Sequence, residues 1–144
     1  MITLTREQAI KEFRKMWEWI ANQTLIRQKA VHKTEYFKEN YLEPVHQDCY
    51  LCHYARDVQH EDISSDGSYC KYCPIDFNKF NEETDVPAVF CSNYQHSPYN
   101  LWIDHYTKAK MYESWYGNQD EIVLKEAKEA AHYAREVARL PERR

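Results

Sequence analysis

Two closely spaced cysteine pairs place the strongest constraint on how this chain can fold. The first pair is Cys49 and Cys52, the second is Cys70 and Cys73, and seventeen residues separate the two pairs. This spacing is typical of a zinc ion held by four cysteines. Two residues between the thiols let one tight turn direct both sulfurs at one ion, at about 2.3 Å per Zn–S bond. We therefore predict that these four thiols bind a structural Zn²⁺.

A fifth cysteine, Cys91, has three interpretations. It is a buried or partly buried thiol that binds no metal, it replaces one of the four cysteines as an alternative ligand, or it is a redox-active thiol. An odd number of cysteines suits metal ligation in a reducing compartment better than disulfide pairing. Because four thiolates leave no open position for water, we expect a structural rather than a catalytic metal.

Two other chemical uses of the cysteine pairs compete with zinc. An iron–sulfur cluster also takes four cysteine ligands and is an alternative. A thioredoxin-like redox pair needs a βαβ pattern, which the sequence lacks. Zinc is therefore the cofactor that we expect.

Glycine content and hydropathy exclude several classes of protein. Only two of the 144 residues are glycine, Gly67 and Gly117, so the glycine-rich loop of a Rossmann or P-loop nucleotide site is missing. No segment approaches the ~20 apolar residues of a membrane-spanning helix, and we expect no membrane partner. The first seven residues lack the basic and apolar regions of a secretory signal, so we expect a cytoplasmic protein.

Four segments outside the cysteine region are predicted helices, at residues 5–29, 34–41, 98–116 and 119–139. In the first, apolar side chains recur at helical spacing: Ala9, Ile10, Phe13, Met16, Trp17, Ile20 and Ala21, followed by Thr24. The third has one predicted face made of Leu101, Trp102, His105, Ala109, Tyr112 and Tyr116. The last is rich in alanine, which indicates close approach to another helix: Ile122, Val123, Ala127, Ala130, Ala131, Ala134 and Val137.

The ends of these helices carry recognisable capping residues. Thr5 and Gln8 have the spacing of a capping box. The remaining predicted signals are N-caps and terminating residues: Thr34 for the second helix, Ser97 with Pro98 and Gly117 for the third, and Asn118 with Glu121 for the last.

The chain is expected to form a single domain, residues 1–144. It divides into an N-terminal helical part, 1–44, a zinc module, 45–93, and a C-terminal helical part, 94–144. The zinc module has little periodicity and few aliphatic residues, so we expect it to be loop-rich and to depend on the metal, which supplies on the order of 10 kcal/mol in small domains. The predicted fold class is mainly α, with one N-terminal and two C-terminal helices sharing a core and the zinc module inserted between them.

Charge and aromatic residues suggest where a partner binds. Residues 41–100 carry three Lys or Arg and ten Asp or Glu, an acidic balance that disfavours wrapping of a phosphate backbone and suits a basic protein. Tyrosines are enriched in protein interfaces, and we name four of those near the cysteines as candidate contacts: Tyr50, Tyr54, Tyr69 and Tyr72. Trp19 lies off the apolar stripe of the first helix and is either a rim residue or a contact residue.

Several short motifs resemble those of small cysteine-rich proteins of phages and prophages of Gram-positive bacteria. The similar segments are residues 14–21 in the first helix, the run Cys49-Tyr50-Leu51-Cys52, residues 70–75, and the tail at 134–143. The resemblance implies a phage-encoded accessory protein in the host bacterial cytoplasm. It implies the four paired cysteines as metal ligands and no enzymatic activity.

The expected function is that of a zinc-stabilised, non-enzymatic protein-binding module that inhibits or redirects a host protein. A nucleic-acid-binding zinc regulator is the first alternative, with the basic residues of the first helix and its exit as the contact surface. An HNH-like metal-dependent nuclease is the second alternative, on a set of polar residues that could supply a base and a cation site: Asp104, His105, Asn118 and His132.

Overall fold

Five α-helices make up the secondary structure in the part of the chain that the computed structural model describes, residues 3–45, 48–60, 73–76 and 97–143. They are α1 (Arg6–Arg27), α2 (Lys33–Glu39), α3 (Tyr50–His60), α4 (Pro98–Tyr116) and α5 (Glu121–Ala138). The prediction of a mainly helical protein is confirmed.

Helix α3 lies inside the segment that we expected to be loop-rich, so that expectation is wrong for residues 50–60. Its buried face consists of Tyr50, Leu51, His53 and Ala55, and this face packs against α1. An eleven-residue helix is too short to be stable from local propensity alone. Its stability therefore depends on tertiary burial. The segment is strongly amphipathic at helical spacing, a sequence signal that the expectation of loops overlooked.

Helix α1 places its predicted apolar stripe at the centre of the molecule. All eight residues of the stripe, from Ala9 to Thr24, are buried. Thr24 is the only polar member of the stripe, and its hydroxyl donates to the carbonyl of Ile20 at 2.7 Å. Because this bond satisfies the hydroxyl within the helix, Thr24 can be buried without an unpaired donor.

Helix α5 packs against both α1 and α4. Its buried face is mostly alanine, and side chains this small let the neighbouring helix backbones approach closely. Helices α1 and α4 meet through larger groups instead, because the rings of Trp17 and Trp102 contact each other edge to face with centroids 4.7 Å apart. Only Trp102 and Ala109 of the face predicted for α4 are buried, and Tyr116 is 59% exposed.

Helix ends confirm some of the predicted caps and correct others. The Thr5–Gln8 capping box is present, and Ser97 caps α4 by accepting from the backbone N–H of Asn100. Gly117 ends α4 with a φ of 86°. Two predicted caps are wrong, because His32 caps α2 instead of Thr34 and Asp120 caps α5 instead of Asn118. In both helices more than one nearby side chain could accept a hydrogen bond from the free backbone N–H groups of the first turn. The residue at which the backbone becomes helical decides which side chain is the cap.

The segment that follows Cys73 is joined to the C-terminal tail. Ile75 and Glu142 form an isolated antiparallel bridge, and the N–H of Arg143 donates to the carbonyl of Pro74 at 2.7 Å. Arg6 at the start of α1 donates to the carbonyl of Arg143 at 2.8 Å. These bonds hold residues 73–76 beside the first turn of α1.

The same contacts fix the relative direction of the helices. The first half of α1 contacts the tail after α5, because Arg14 donates to the carbonyl of Leu140 at 3.1 Å. Helices α1 and α5 are therefore antiparallel, and the short turn at 117–120 makes α4 and α5 antiparallel as well. The last turns of α1 and α4 and the first turn of α5 consequently lie at one end of the bundle, which we call the distal end.

Substitution of Ala134 tests the close packing of α5. Ala134 is fully buried in the core, so Ala134→Leu should destabilise the protein by about 1–3 kcal/mol through overpacking. The control is Lys125→Leu at an exposed position of the same helix, which should change stability by less than about 0.5 kcal/mol. Urea denaturation measures both changes, and equal stabilities for the two variants would contradict the packing described above.

Candidate functional site

The first cysteine pair lies where the chain enters α3. Asp48 adopts a left-handed φ of 50°, and its N–H donates to the carbonyl of Val45 at 3.0 Å. Cys49 follows, and its carbonyl accepts the first bond of the helix from the N–H of His53 at 3.0 Å. The Cys49 and Cys52 thiols share a side-chain hydrogen bond. One turn therefore brings both sulfurs together, as the spacing predicted.

A lysine and a tyrosine from two other helices adjoin these thiols. Lys33 begins α2, and Tyr99 belongs to the first turn of α4. The Nζ of Lys33 donates to the hydroxyl of Tyr99 at 3.4 Å and lies 5.5 Å from the centroid of its ring. Burial, the largest single effect, lowers the pKa of Lys33, but the charges of Tyr99, Cys49 and Cys52 and the hydrogen bond to Tyr99 act in the opposite direction, and the pKa is raised. Lys33 is therefore a cation beside the thiols.

These neighbours favour the ionised form of Cys49. The hydrogen bond from Cys52 is the largest cause and lowers the Cys49 pKa, burial opposes it, and the charge of Lys33 lowers the pKa further, to about 7. Thiolates are both the metal-ligating and the nucleophilic form of cysteine. The chemistry of this turn therefore suits a soft metal ion such as zinc.

The described residues supply only part of the predicted four-cysteine set. Cys73 is partly buried against the same core cluster as Cys49, and Cys49, Cys52 and Cys73 are thiols outside any disulfide. Within the described ranges, no three His, Cys, Asp or Glu side chains come together as metal ligands. Cys70 and the alternative ligand Cys91 lie outside the described residues, so the four-cysteine site stays a prediction.

The predicted partner-contact residues differ widely in exposure. Tyr50 is only 4% exposed and its ring packs on that of Phe37, so it belongs to the core. Tyr54 is partly buried against the core cluster. Trp19 is also partly buried and contacts Tyr36 with ring centroids 5.4 Å apart. Tyr69 and Tyr72 lie outside the described residues.

Three of the polar residues of the HNH-like alternative lie on α4 and α5, and Asn118 lies in the exposed turn between these helices. Nδ1 of His105 lies 2.5 Å from a carboxylate oxygen of Glu126 on α5, and its ring stacks on Tyr133 with centroids 5.4 Å apart. Asp104 forms an ion pair with Lys108 at 3.0 Å, and His132 is exposed on α5. His105 therefore joins α4 to α5.

Four of the seven basic side chains of α1 and its exit make internal contacts. Arg6 and Arg14 bind carbonyls of the C-terminal tail. Arg27 pairs with Glu39, with Nη2 and Oε1 2.5 Å apart, and Lys33 contacts Tyr99. These contacts orient four of the cations considered for phosphate binding toward other parts of the protein.

Large apolar side chains at the distal end were not among the residues predicted to bind a partner. The exposed members are Leu25 at 42%, Ile26 at 73%, Trp115 at 63%, Tyr116 at 59% and Ile122 at 37%. The rings of Trp115 and Tyr116 contact each other edge to face. Ile26 and Trp115 fall outside the predicted apolar stripes, and this position is the sequence signal that could have indicated their exposure. The signal is weak, because single exposed apolar residues are common on protein surfaces.

Comparison with models of protein families, with curated proteins and with solved structures finds no match to this chain. In the described part of the chain, none of the helices has both the length and the apolar content needed to cross a bilayer.

The reactivity of Cys49 tests the electrostatics of the thiol pair. In metal-free protein, alkylation of Cys49 should have its pH midpoint at about 7, below the ordinary thiol value of 9.0. Lys33→Met should move this midpoint upward, whereas the control Lys38→Met, at an exposed position of the same helix, should not. Peptide mass spectrometry after timed alkylation measures the midpoint, and an unchanged value in Lys33→Met contradicts the assigned role.

The same pKa predicts how the stability of metal-free protein varies with pH. The folded-state pKa is lower than the ordinary value, so ionisation of Cys49 stabilises the folded state. This contribution is fully present above pH 9 and is lost as the pH falls through about 7. The Cys49→Ala variant should lack this pH dependence in urea denaturation.

A double-mutant cycle tests whether His105 and Glu126 join the two helices. Their side chains are 18% and 14% exposed, and a hydrogen bond in such surroundings contributes about 1 kcal/mol. His105→Ala and Glu126→Ala should therefore be non-additive by about this amount. The exposed Asp104–Lys108 pair is the control and should show near-additive effects, and additivity in both cycles would contradict the linking role.

Proposed function

We propose that this chain is a zinc-stabilised protein-binding module without enzymatic activity. The observation that carries the proposal is the group of large apolar side chains exposed at the distal end: Leu25, Ile26, Trp115, Tyr116 and Ile122. Tryptophan and tyrosine are enriched among the residues that dominate binding energy at protein interfaces, and Trp115 and Tyr116 contact each other edge to face at this end.

The thiol turn supports the structural part of the proposal. Cys49 and Cys52 share a hydrogen bond beside the cation of Lys33, and Cys73 borders the same core cluster. We propose that Cys70 and Cys73 supply the other two thiolates. A bound Zn²⁺ then ties α3 to the segment at 73–76, and when bound it supplies folding free energy rather than a reacting group.

Stabilisation and partner binding belong to different ends of the molecule in this proposal. Tyr99 beside the thiols and Trp115 at the distal end are separated by about 24 Å along α4, at 1.5 Å per residue. Loss of the metal should therefore weaken partner binding through unfolding and not through loss of direct contacts.

The resemblance to phage and prophage proteins suggests the kind of partner. We propose that the chain is a phage accessory factor that inhibits or redirects a protein of the bacterial host in the host cytoplasm. Nucleic-acid binding remains the alternative function, and it is less well supported because Arg6, Arg14 and Arg27 make internal contacts.

Metal content and cysteine variants test the zinc proposal. A native mass spectrum should show the denatured mass plus one Zn²⁺, and Cys49→Ser or Cys70→Ser should lose both the metal and much of the folded stability. Cys91→Ser is the comparison variant: it should keep the metal if Cys70 and Cys73 complete the site, and loss of the metal would identify Cys91 as the alternative ligand. A Cys70→Ser protein that keeps its metal and its fold would overturn the zinc proposal.

Partner capture tests the proposed binding role separately. Wild-type protein purified gently from a bacterial lysate should carry a stoichiometric host protein in its native mass spectrum. Trp115→Ala and Ile26→Ser should lose this partner, whereas Ile103→Ser, at a site 37% exposed on α4, should retain it. Binding that is instead to nucleic acid, and that weakens steeply with salt, would favour the alternative.

A further inference from the structure

A groove between α1 and α5 opens at the distal end. Its volume is about 110 Å³, and six residues line it: Thr24, Leu25, Gln28, Leu124, Ala127 and Lys128. Further along the two helices the groove is bridged, because Arg135 donates to Asn22 at 2.8 Å and approaches Glu18 at 3.4 Å. The groove is thus a short recess with one bridged end.

The floor of the groove is apolar, and its one hydroxyl group already has a hydrogen-bond partner. Thr24 and Ala127 are buried, and the Thr24 hydroxyl donates to a carbonyl of its own helix. Leu25 and Leu124 form apolar walls. A cavity of about 150 Å³ lined by apolar side chains takes a benzene ring, so this smaller recess fits one aliphatic side chain.

The rim of the groove carries a positive charge and no negative one. Lys128 is exposed, the lining contains no carboxylate, and the ion pairs found within the described ranges do not include Lys128. Gln28, the residue at which α1 ends, also lines the groove. Its side-chain amide adds a second hydrogen-bonding group. An occupant that complements this lining carries a carboxylate next to its apolar group.

We propose that the α1–α5 groove binds a segment of a partner protein that inserts one aliphatic side chain beside an aspartate or glutamate. The inference rests on the proposed protein-binding function and specifies its recognition chemistry. Leu25 and Leu124 contact the aliphatic group, and Lys128 pairs with the carboxylate.

A library of short random peptides, selected against the full chain, provides the probe. Enriched peptides should place Leu, Ile or Val next to Asp or Glu. Leu25→Ser and Lys128→Glu should each weaken their binding by about tenfold, measured by fluorescence anisotropy with circular dichroism to confirm folding. Peptides in which Lys replaces the acidic residue should regain binding to the Lys128→Glu variant.

Two matched controls separate the groove from the rest of the surface. Ile103→Ser removes a comparably exposed aliphatic group from α4, where Ile103 is 37% exposed. Lys125→Glu makes the same charge change at an exposed position of α5 outside the lining. Both variants should bind the enriched peptides as tightly as the wild type.

Other outcomes overturn the inference and distinguish it from the proposed function. Enrichment of basic peptides, or binding insensitive to Leu25→Ser and Lys128→Glu, excludes the groove and leaves a protein-binding function elsewhere. Self-association in sedimentation that Leu25→Ser abolishes assigns the groove to a second copy of the chain. No enriched peptide, together with no host protein in the native spectrum, overturns both proposals.

Discussion

The contact between Trp17 and its aromatic neighbours links the core to the thiol site. Trp17 is 1% exposed at the middle of α1, and its ring centroid lies 4.7 Å from that of Trp102 and 5.9 Å from that of Tyr99. Tyr99 in turn accepts the hydrogen bond from Lys33, which lies beside Cys49. Edge-to-face aromatic pairs add about 0.5–1.5 kcal/mol beyond burial, so this chain of contacts both stabilises the bundle and positions the cation beside the thiols.

The helices use two different kinds of packing around α5. Alanines let α5 approach its neighbours closely, whereas α1 and α4 are held apart by tryptophan rings. A small domain has a limited core, and here most large apolar groups of α1 point inward. Large apolar groups are also exposed elsewhere, as at Tyr41, but the distal end exposes a tryptophan and a tyrosine in mutual contact, which is the physical reason for proposing it as a binding surface.

Sequence reasoning predicted the cysteine turn more successfully than the partner-contact residues. The two residues between Cys49 and Cys52 constrain both thiols to one turn, and that constraint is local. Tyr50 lies between them and was predicted to contact a partner, yet it is buried on Phe37 because α3 packs its face against α1. Neither Lys33 nor Tyr99 was predicted at the thiol site, since they are distant along the chain and carry no motif.

The sequence by itself determined the helical character of the chain, the buried stripe of α1 and the Thr5 capping box, because these depend on residues within a few positions of one another. It also determined that two thiols share one turn. Only the tertiary structure decided that Arg6 and Arg14 bind carbonyls of the C-terminal tail, and which apolar residues stay exposed. Those outcomes depend on helix direction and packing between distant segments, which local periodicity does not encode.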